Sequence, residues 1–501
     1  MTMHRALVVS EILLDIFAHV DTILDPLSYG EISLARKSLA TLATTCRTFH
    51  EPAMDLLWAD MHGIVPLLGC VTRLHHMIYH HAGRYTWYSE GIDPLCEHEV
   101  LQFLRHAHRV RSLQIPFDNH FHLLSVLPIK TFIFPRLLSL SMAVHPAGYL
   151  HLFLPPTLRR CSLSLIHPDL KLIATCCVAT LEDLTIKIPY QSTADELCLL
   201  SDSIRLCKRL VTLYCPPLDW AAWKHLSNLP TLLSVAISGE VLCPLDTDNF
   251  VFTRFLNVTA LSFHVTTASY VIAVMRNSAF PSLEEFKMVA RVLPWEDAEQ
   301  LFHALSQCTA CQTLQHIDIL SRDQRVPEPS DSSLTPITQF LGFTQLRTLQ
   351  LAFPHCCIRL DNHLLSKAMS SWPHIRSLKV EDPHPHPATI TFRGLSTALR
   401  QSPHLHTLHI SMDALNIDID PQAESFQHTS LQTLDVRTSH IADREAVAYI
   451  LFTMLPSVES VIHGSSGRHI RYAWQEVNRR LQSLKSSAVL GCRITGATAA
   501  C

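Results

Sequence analysis

Glycine is scarce, with 13 residues in 501. That argues against Gly-rich nucleotide-binding loops and against sandwiches built on Gly turns. Charged residues are only 17% of the chain, against about 25% in an average globular protein. Ser, Thr, His and Gln must therefore cover much of the surface. No uninterrupted apolar run approaches the roughly 18 residues a membrane helix needs. The apolar stretch from Ala6 to Val9 is short and meets Glu11 at once, so no signal peptide is expected. Cysteine is plentiful at 16 but has no framework spacing, and the one CxxC is Cys308-Thr-Ala-Cys311. A structural zinc site would need a second such pair or spaced histidines. Adjacent cysteines, Cys176–Cys177 and Cys356–Cys357, read as small apolar residues in buried elements. A reducing compartment, cytoplasmic or nuclear, is the expectation.

Basic surplus is missing too. The formal charge is 40 minus 44, or −4, beside 32 His. With a pKa near 6.5, each His is about one-quarter protonated at pH 7, which adds roughly 8 positive charges. The chain is then near neutral, and nothing in its composition favours nucleic acid. G-x-S-x-G, P-loop and H-E-x-x-H patterns are all absent, so no enzyme activity and no cofactor is expected. His98-Glu99 meets Gln102 where a metalloprotease needs His, and Gly464-Ser-Ser-Gly467 lacks the spacing of a nucleophile turn. His404, His406 and His409, and the run Pro383-His-Pro-His-Pro387, read as ordinary histidines of a His-rich chain.

What is present is a repeat. The pattern L-x-x-L-x-[LIV] begins at Val110, Leu137, Leu158, Leu181, Leu210, Leu232, Val258, Leu283, Leu314, Leu346, Ile375, Leu405, Leu431 and Val458. Clear copies are LEDLTI from Leu181 and LRTLQL from Leu346. The mean spacing is about 27, inside the 20–29 of leucine-rich repeats. Pro stands two residues before the anchor at Pro135, Pro156, Pro230, Pro281, Pro373, Pro403 and Pro456. Proline biases its predecessor away from helix, so it ends one helix and hands the chain to the next strand. Each repeat then reads as a strand followed by a helix, as from Asp195 to Cys207 and from Glu296 to Ser306. The Asn that usually follows the strand is replaced by His145, Pro189, Glu240, Pro354 and Asp413, so an irregular array is expected.

The first sixty residues form a separate helical unit. Ser10 would cap a helix whose Ile12, Leu13, Ile16, Phe17 and Val20 share one broad side. Leu34, Leu39, Leu42, Ala43 and Cys46 recur at helical spacing in a second run, and a third ends in Leu56-Leu57-Trp58. Three short helices cannot bury all of this alone, and the remainder reads as a docking face.

These residues resemble the F-box, in particular its fungal form. The matching elements are Glu11-Ile12-Leu13 with Ile16-Phe17, then Leu39, Leu42 and Cys46-Arg47-x-Phe49, then Leu56-Leu57-Trp58. Val9 and Ser10 stand where the family usually has Pro. The resemblance implies a receptor subunit of an SCF-type cullin-RING ubiquitin ligase, a non-catalytic protein whose F-box docks on a Skp-type adaptor. The repeats would bind a substrate protein, and neither nucleic acid nor membrane is an expected partner. The alternative is a ligase-independent leucine-rich-repeat interaction scaffold.

The expected fold is α/β, a leucine-rich-repeat solenoid with parallel strands on its concave face and a three-helix F-box at its N-terminus. The boundaries are an F-box-like unit over 1–60, a connecting region over 61–100, an irregular array over 101–465 and a capping helix and tail over 466–501. The capping helix is expected from Ile470 to Leu484. Candidate adaptor-binding residues are Ile12, Leu13, Ile16, Phe17, Leu42, Cys46, Leu57 and Trp58, some of which must face the head's own core. Strand side chains alternate, which turns His316, Asp318, Lys379, Glu381, His409, Asp435 and Arg437 outward as candidate substrate-binding residues. The N-terminal copies carry blander Ser139, Ser141 and Ala143 there.

Overall fold

The structure, a computed structural model, describes residues 12, 13, 15–17, 19, 32–80, 89–116, 120–128, 132–143, 148–166, 170–177, 179–187, 192–240, 252–322, 333–353, 357–358, 360–381, 389–420, 426–437, 439–464 and 468–497. Two compact units divide the chain, Met1–Ala222 and Trp223–Cys501.

The first unit opens with helical residues 12, 13, 15–17 and 19, followed by α1 (Ile32–Thr45) and α2 (Arg47–Leu57). Its strands are β1 (Asp60–His62), β2 (Ser112–Ile115), β3 (Ser139–Met142), β4 (Arg160–Leu163), β5 (Asp183–Ile186) and β6 (Thr212–Cys215). All pair in parallel, with Ser112, Ser139, Arg160, Asp183 and Thr212 in one register. β1 joins this ladder by pairing Asp60 with Ser112, so the ladder starts before the first repeat motif. A helix α3 (Ala194–Ile204) fills the return after β5. Thr193 opens it with a capping box: its hydroxyl accepts from Glu196 N–H at 3.3 Å, and Glu196 accepts from Thr193 N–H at 2.7 Å.

Among the described residues the second unit has nine ladder strands. They are β7 (Ser234–Gly239), β8 (Ala260–Val265), β9 (Glu285–Ala290), β10 (His316–Ser321), β11 (Thr348–Ala352), β12 (Ser377–Glu381), β13 (Thr407–His409), β14 (Thr433–Asp435) and β15 (Val461–Ile462). These too are parallel, with Ser234, Ala260, Glu285, His316, Thr348, Ser377, Thr407 and Thr433 in register. The return helices include α4 (Trp295–Ser306) and α5 (Arg444–Met454), and α6 (Arg468–Ala497) follows β15. Two short parallel pairs, Thr253–Arg254 with Ser278–Ala279 and Ser333–Leu334 with Cys357–Ile358, lie outside the main ladder.

Every one of the fourteen anchors is buried, at 0 or 1% exposure. The strand begins two residues after each anchor except Val458, where it begins at Val461. The indole N–H groups of Trp223, Trp372 and Trp474, all fully buried, each find a partner. Trp223 donates to the Tyr270 hydroxyl at 2.6 Å, Trp372 to the Phe340 carbonyl at 3.0 Å and Trp474 to the Ser439 carbonyl at 2.9 Å.

A hydroxyl spine takes over work that an Asn ladder does elsewhere. The residue just before the anchor is Thr157, Thr180, Thr231 or Thr313 in four copies. Thr180 Oγ1 lies 2.9 Å from both the Pro156 and the Leu158 carbonyl of the preceding repeat, which share its single proton. Thr157 and Thr313 repeat that pattern one repeat back, and Asn257 reaches the Pro230 carbonyl at 2.7 Å. The proline carbonyls are free to accept because the helix has already ended before them.

The last helix departs from expectation. It runs from Arg468 to Ala497, well past Leu484. Ala473, Trp474, Val477 and Leu481 are buried along one side. Asn478 closes the exposed edge of β15, accepting from Val461 N–H at 2.8 Å and donating to the Val461 carbonyl at 2.9 Å. One side-chain amide thus imitates the next strand of the ladder.

Candidate functional site

The helical head sorts its apolar residues into two sets. Leu13 and Phe17, at 1% and 3% exposure, form a core with Leu39, Ala43 and Ala53. Leu42, Phe49, Met54, Leu56 and Leu57 pack against that core, and the Phe17 and Phe49 rings meet edge-to-face at 5.5 Å. Ile12 and Ile16 lie one turn apart and stay 40% and 43% exposed. Cys46 is half-buried and forms the extended N-cap of α2. Of the eight expected docking residues, then, Leu13, Phe17, Leu42 and Leu57 serve the head itself, while Ile12 and Ile16 present side chains outward.

Trp58 is spoken for as well. It stacks on His106 of the first repeat, with ring centroids 4.7 Å apart and planes 11° from parallel. Beside it, the Arg109 guanidinium pairs with both Glu51 and Asp55 of α2. Hydrogen bonding and charge from Arg109 hold the Glu51 carboxyl below its usual range. Burial, aided by Arg105 and Arg109, pulls His106 down to about 4, so the ring in the stack is neutral. Arg36 adds a hydrogen bond to the Asp60 carbonyl at 2.6 Å. The head is clamped to the ladder by groups that sequence reading passed over, because Arg109 and His106 sit outside every motif.

The open face of the second unit carries a polar row. In register across the strands lie Lys287, Asp318, Gln350, Lys379, His409 and Asp435. Between them the buried face alternates Ile317, Leu349, Leu378, Leu408 and Leu434, each at 0% exposure. Both ends of this row are internally paired. Lys287 pairs with Glu285 on its own strand. At the other end Arg437 pairs with Glu381 and lies 3.5 Å from Asp435, which is also 3.8 Å from His409. Asp435 is buried at 5% exposure and accepts from Arg437 N–H at 2.9 Å. On the open face it is thus covered, and it holds Arg437, whose φ of 51° is the single positive value outside glycine among the described residues. Burial lowers the His409 pKa despite Asp435.

The middle of the row is different. Asp318, Gln350 and Lys379 are half-buried, and among the described residues none of the three has a side-chain hydrogen bond or ion pair. Asp318 Oδ1 is shielded from solvent with no partner. Burial raises the Asp318 pKa, against the lowering effect of Lys287 and Lys379. His316 lies in the next row, beside Glu285 and Thr348. Gln350 is the row member that a search for charge misses. In the first unit the equivalent row is Gln114, Ser141, Ser162, Thr185 and Tyr214, without a formal charge.

Other clusters are already committed. Among the described residues Cys96, His98 and Glu99 bring metal-binding atoms together. Both Glu99 oxygens, however, accept from Arg73, and one also accepts from Cys96 N–H at 3.0 Å. Burial raises the Glu99 pKa, and these bonds outweigh it to leave it lowered. Cys308 is buried, while the Cys311 side chain and the His-Pro run at 383–387 lie outside the described residues. A groove of about 580 Å³ between α5 and α6 is lined by Asp443, Glu445, Tyr449 and Arg480 among others. There Asp443 caps α5 and Glu445 pairs with Arg480. Among the described residues no helix is long and apolar enough to cross a membrane.

No known protein family matches the chain, and no curated protein does. Among solved structures, the chain is similar to the yeast Rad7 and Elc1 complex at 13% identity and a TM-score of 0.38, covering 91% of this chain and 90% of that one. It is also similar to the Drosophila Toll–Spatzle complex at 13% identity and a TM-score of 0.40, covering 74% and 52%. At this level neither likeness bears on what the chain binds.

Proposed function

We propose that the chain is the substrate-recognition subunit of an SCF-type cullin-RING ubiquitin ligase. The head docks on a Skp-type adaptor, the open face of the repeats holds a substrate protein, and the chain performs no bond chemistry of its own. The observation that supports this reading is the division within the head. Its core is complete without Ile12 and Ile16, yet these two stand one turn apart and outward. A bundle that merely closed the array would gain more by turning them in. The Arg109 clamp and the Trp58–His106 stack give the docked adaptor a fixed relation to the first repeats.

The test is binding of the purified full chain to a Skp-type adaptor by titration calorimetry. Ile12 and Ile16 each have about two-fifths of their surface left to bury, worth roughly 1 kcal/mol apiece. Replacing both with Ala should therefore weaken binding roughly ten- to thirtyfold with the melting temperature unchanged. Retention of the adaptor after deletion of residues 1–60 would overturn the reading in favour of a ligase-independent scaffold.

A further inference from the structure

The central three positions of the polar row form an unsatisfied sequence of acceptor, amide and donor. Asp318 pairs in register with Gln350, and Gln350 with Lys379. Neighbouring strands lie about 4.8 Å apart, so the carboxylate and the ammonium spring from points about 10 Å apart. Charges so placed would normally be quenched by neighbours on the same sheet. At both ends of the row they are: Glu285 takes Lys287, while Glu381 and Asp435 take Arg437. Lys287 and Lys379 still attract the Asp318 carboxylate through space, but neither bonds to it. What is left facing outward is one acid and one base, with Gln350 between them able to donate and accept.

Resting on the reading of this face as the substrate surface, we propose that it selects a peptide segment carrying a basic and an acidic side chain about 10 Å apart. The basic group sits over Asp318 and the acidic group over Lys379, and Gln350 meets the main chain between them. On an extended segment that spacing corresponds to residues about three apart; on a helix it is about two turns. A partner of uniform charge would meet one ion of its own sign, so the row discriminates by order of charge rather than by net charge.

The experiment pans random 12-residue peptides displayed on phage against the immobilised full chain. The enriched peptides are then measured as fluorescent probes by anisotropy. Expected are sequences with a base and an acid at the stated spacing, binding at least tenfold more weakly to Asp318→Asn and to Lys379→Met. The double variant Asp318→Lys, Lys379→Asp should enrich the reversed order of charge. Thermal melting of Asp318→Asn separates binding from structure: a binding residue leaves the melting temperature unchanged or higher, whereas a structural one lowers it. Peptides that ignore Asp318→Asn and Lys379→Met but are lost on Gln350→Arg would overturn the charge pair and leave the face as a binding surface. If no peptide is enriched, or none responds to any of the three substitutions, the substrate reading of the face falls with it.

Discussion

Leu349 shows how the repeat fixes a side chain's fate. It is the second anchor of LRTLQL, sits at 0% exposure, and lies in register between Ile317 and Leu378. Leu349→Asp would bury a carboxylate without a partner and should cost several kcal/mol. Lys379, on the next strand but facing out, should change stability by less than about 0.5 kcal/mol when replaced with Ala. Thermal melts of the two variants check the contrast, and equal melts would mean the register is wrong. The same logic separates neighbours in the head. Phe17→Ala removes a core ring and should cost about 3–5 kcal/mol, while Ile16→Ala should leave the fold intact and act on docking. The helical periodicity showed that both residues lie on an apolar side. It could not show which part of that side the other helices cover, because coverage is decided by α1 and α2 and not by the helix itself.

Among the elements, strands were far more legible than caps. Fourteen anchors predict fourteen strands because each anchor must be buried and each preceding helix must stop, and the Pro offset marks that stop. β1 carries no such motif. It forms because Asp60–His62 can add to the free edge of β2, a reason that is tertiary. The length of α6 was missed for a similar cause. Its first half is held by Trp474, Val477 and Leu481, whereas the residues after Leu484 show little apolar periodicity to read. The Thr spine was hidden by the search for an Asn ladder at a different position. Thr180→Val removes the hydroxyl proton shared between two carbonyls of the preceding repeat and should cost about 1 kcal/mol. Asn478→Leu is predicted to do more than destabilise. It leaves the Val461 N–H and carbonyl unsatisfied, costing about 1–3 kcal/mol, and opens the β15 edge to pairing with another chain. Light scattering at rising concentration should show association in this variant alone.

Over the whole molecule, histidine sets the response to acid. With 32 His and a formal charge of −4, the chain is near neutral at pH 7 and becomes strongly cationic as pH falls, which favours expansion. Burial adds a second, directed effect. His106 and His120 are each held down to about 4 by burial, His106 further by Arg105 and Arg109 and His120 by His122. Burial holds down His264 and His409 as well. A histidine with a lowered folded pKa stays neutral in the native state while the unfolded chain takes up its proton near 6.5. The unfolded state then binds more protons, so stability is lost as pH falls from about 6.5 and the loss is complete near 4. Glu51 adds its part lower down: its pKa is depressed by Arg109, so the clamp's contribution is present above the ordinary carboxylate range and disappears as pH falls through the depressed value. Melting temperature should therefore drop steeply between pH 6.5 and 4, before carboxylate protonation dominates. His106→Phe keeps an aromatic ring against Trp58 and removes the titrating group, so it should flatten that slope without lowering the melting temperature at pH 7. An unchanged slope in this variant would show that the stack does not set the acid sensitivity, leaving it to the other buried histidines and to net charge.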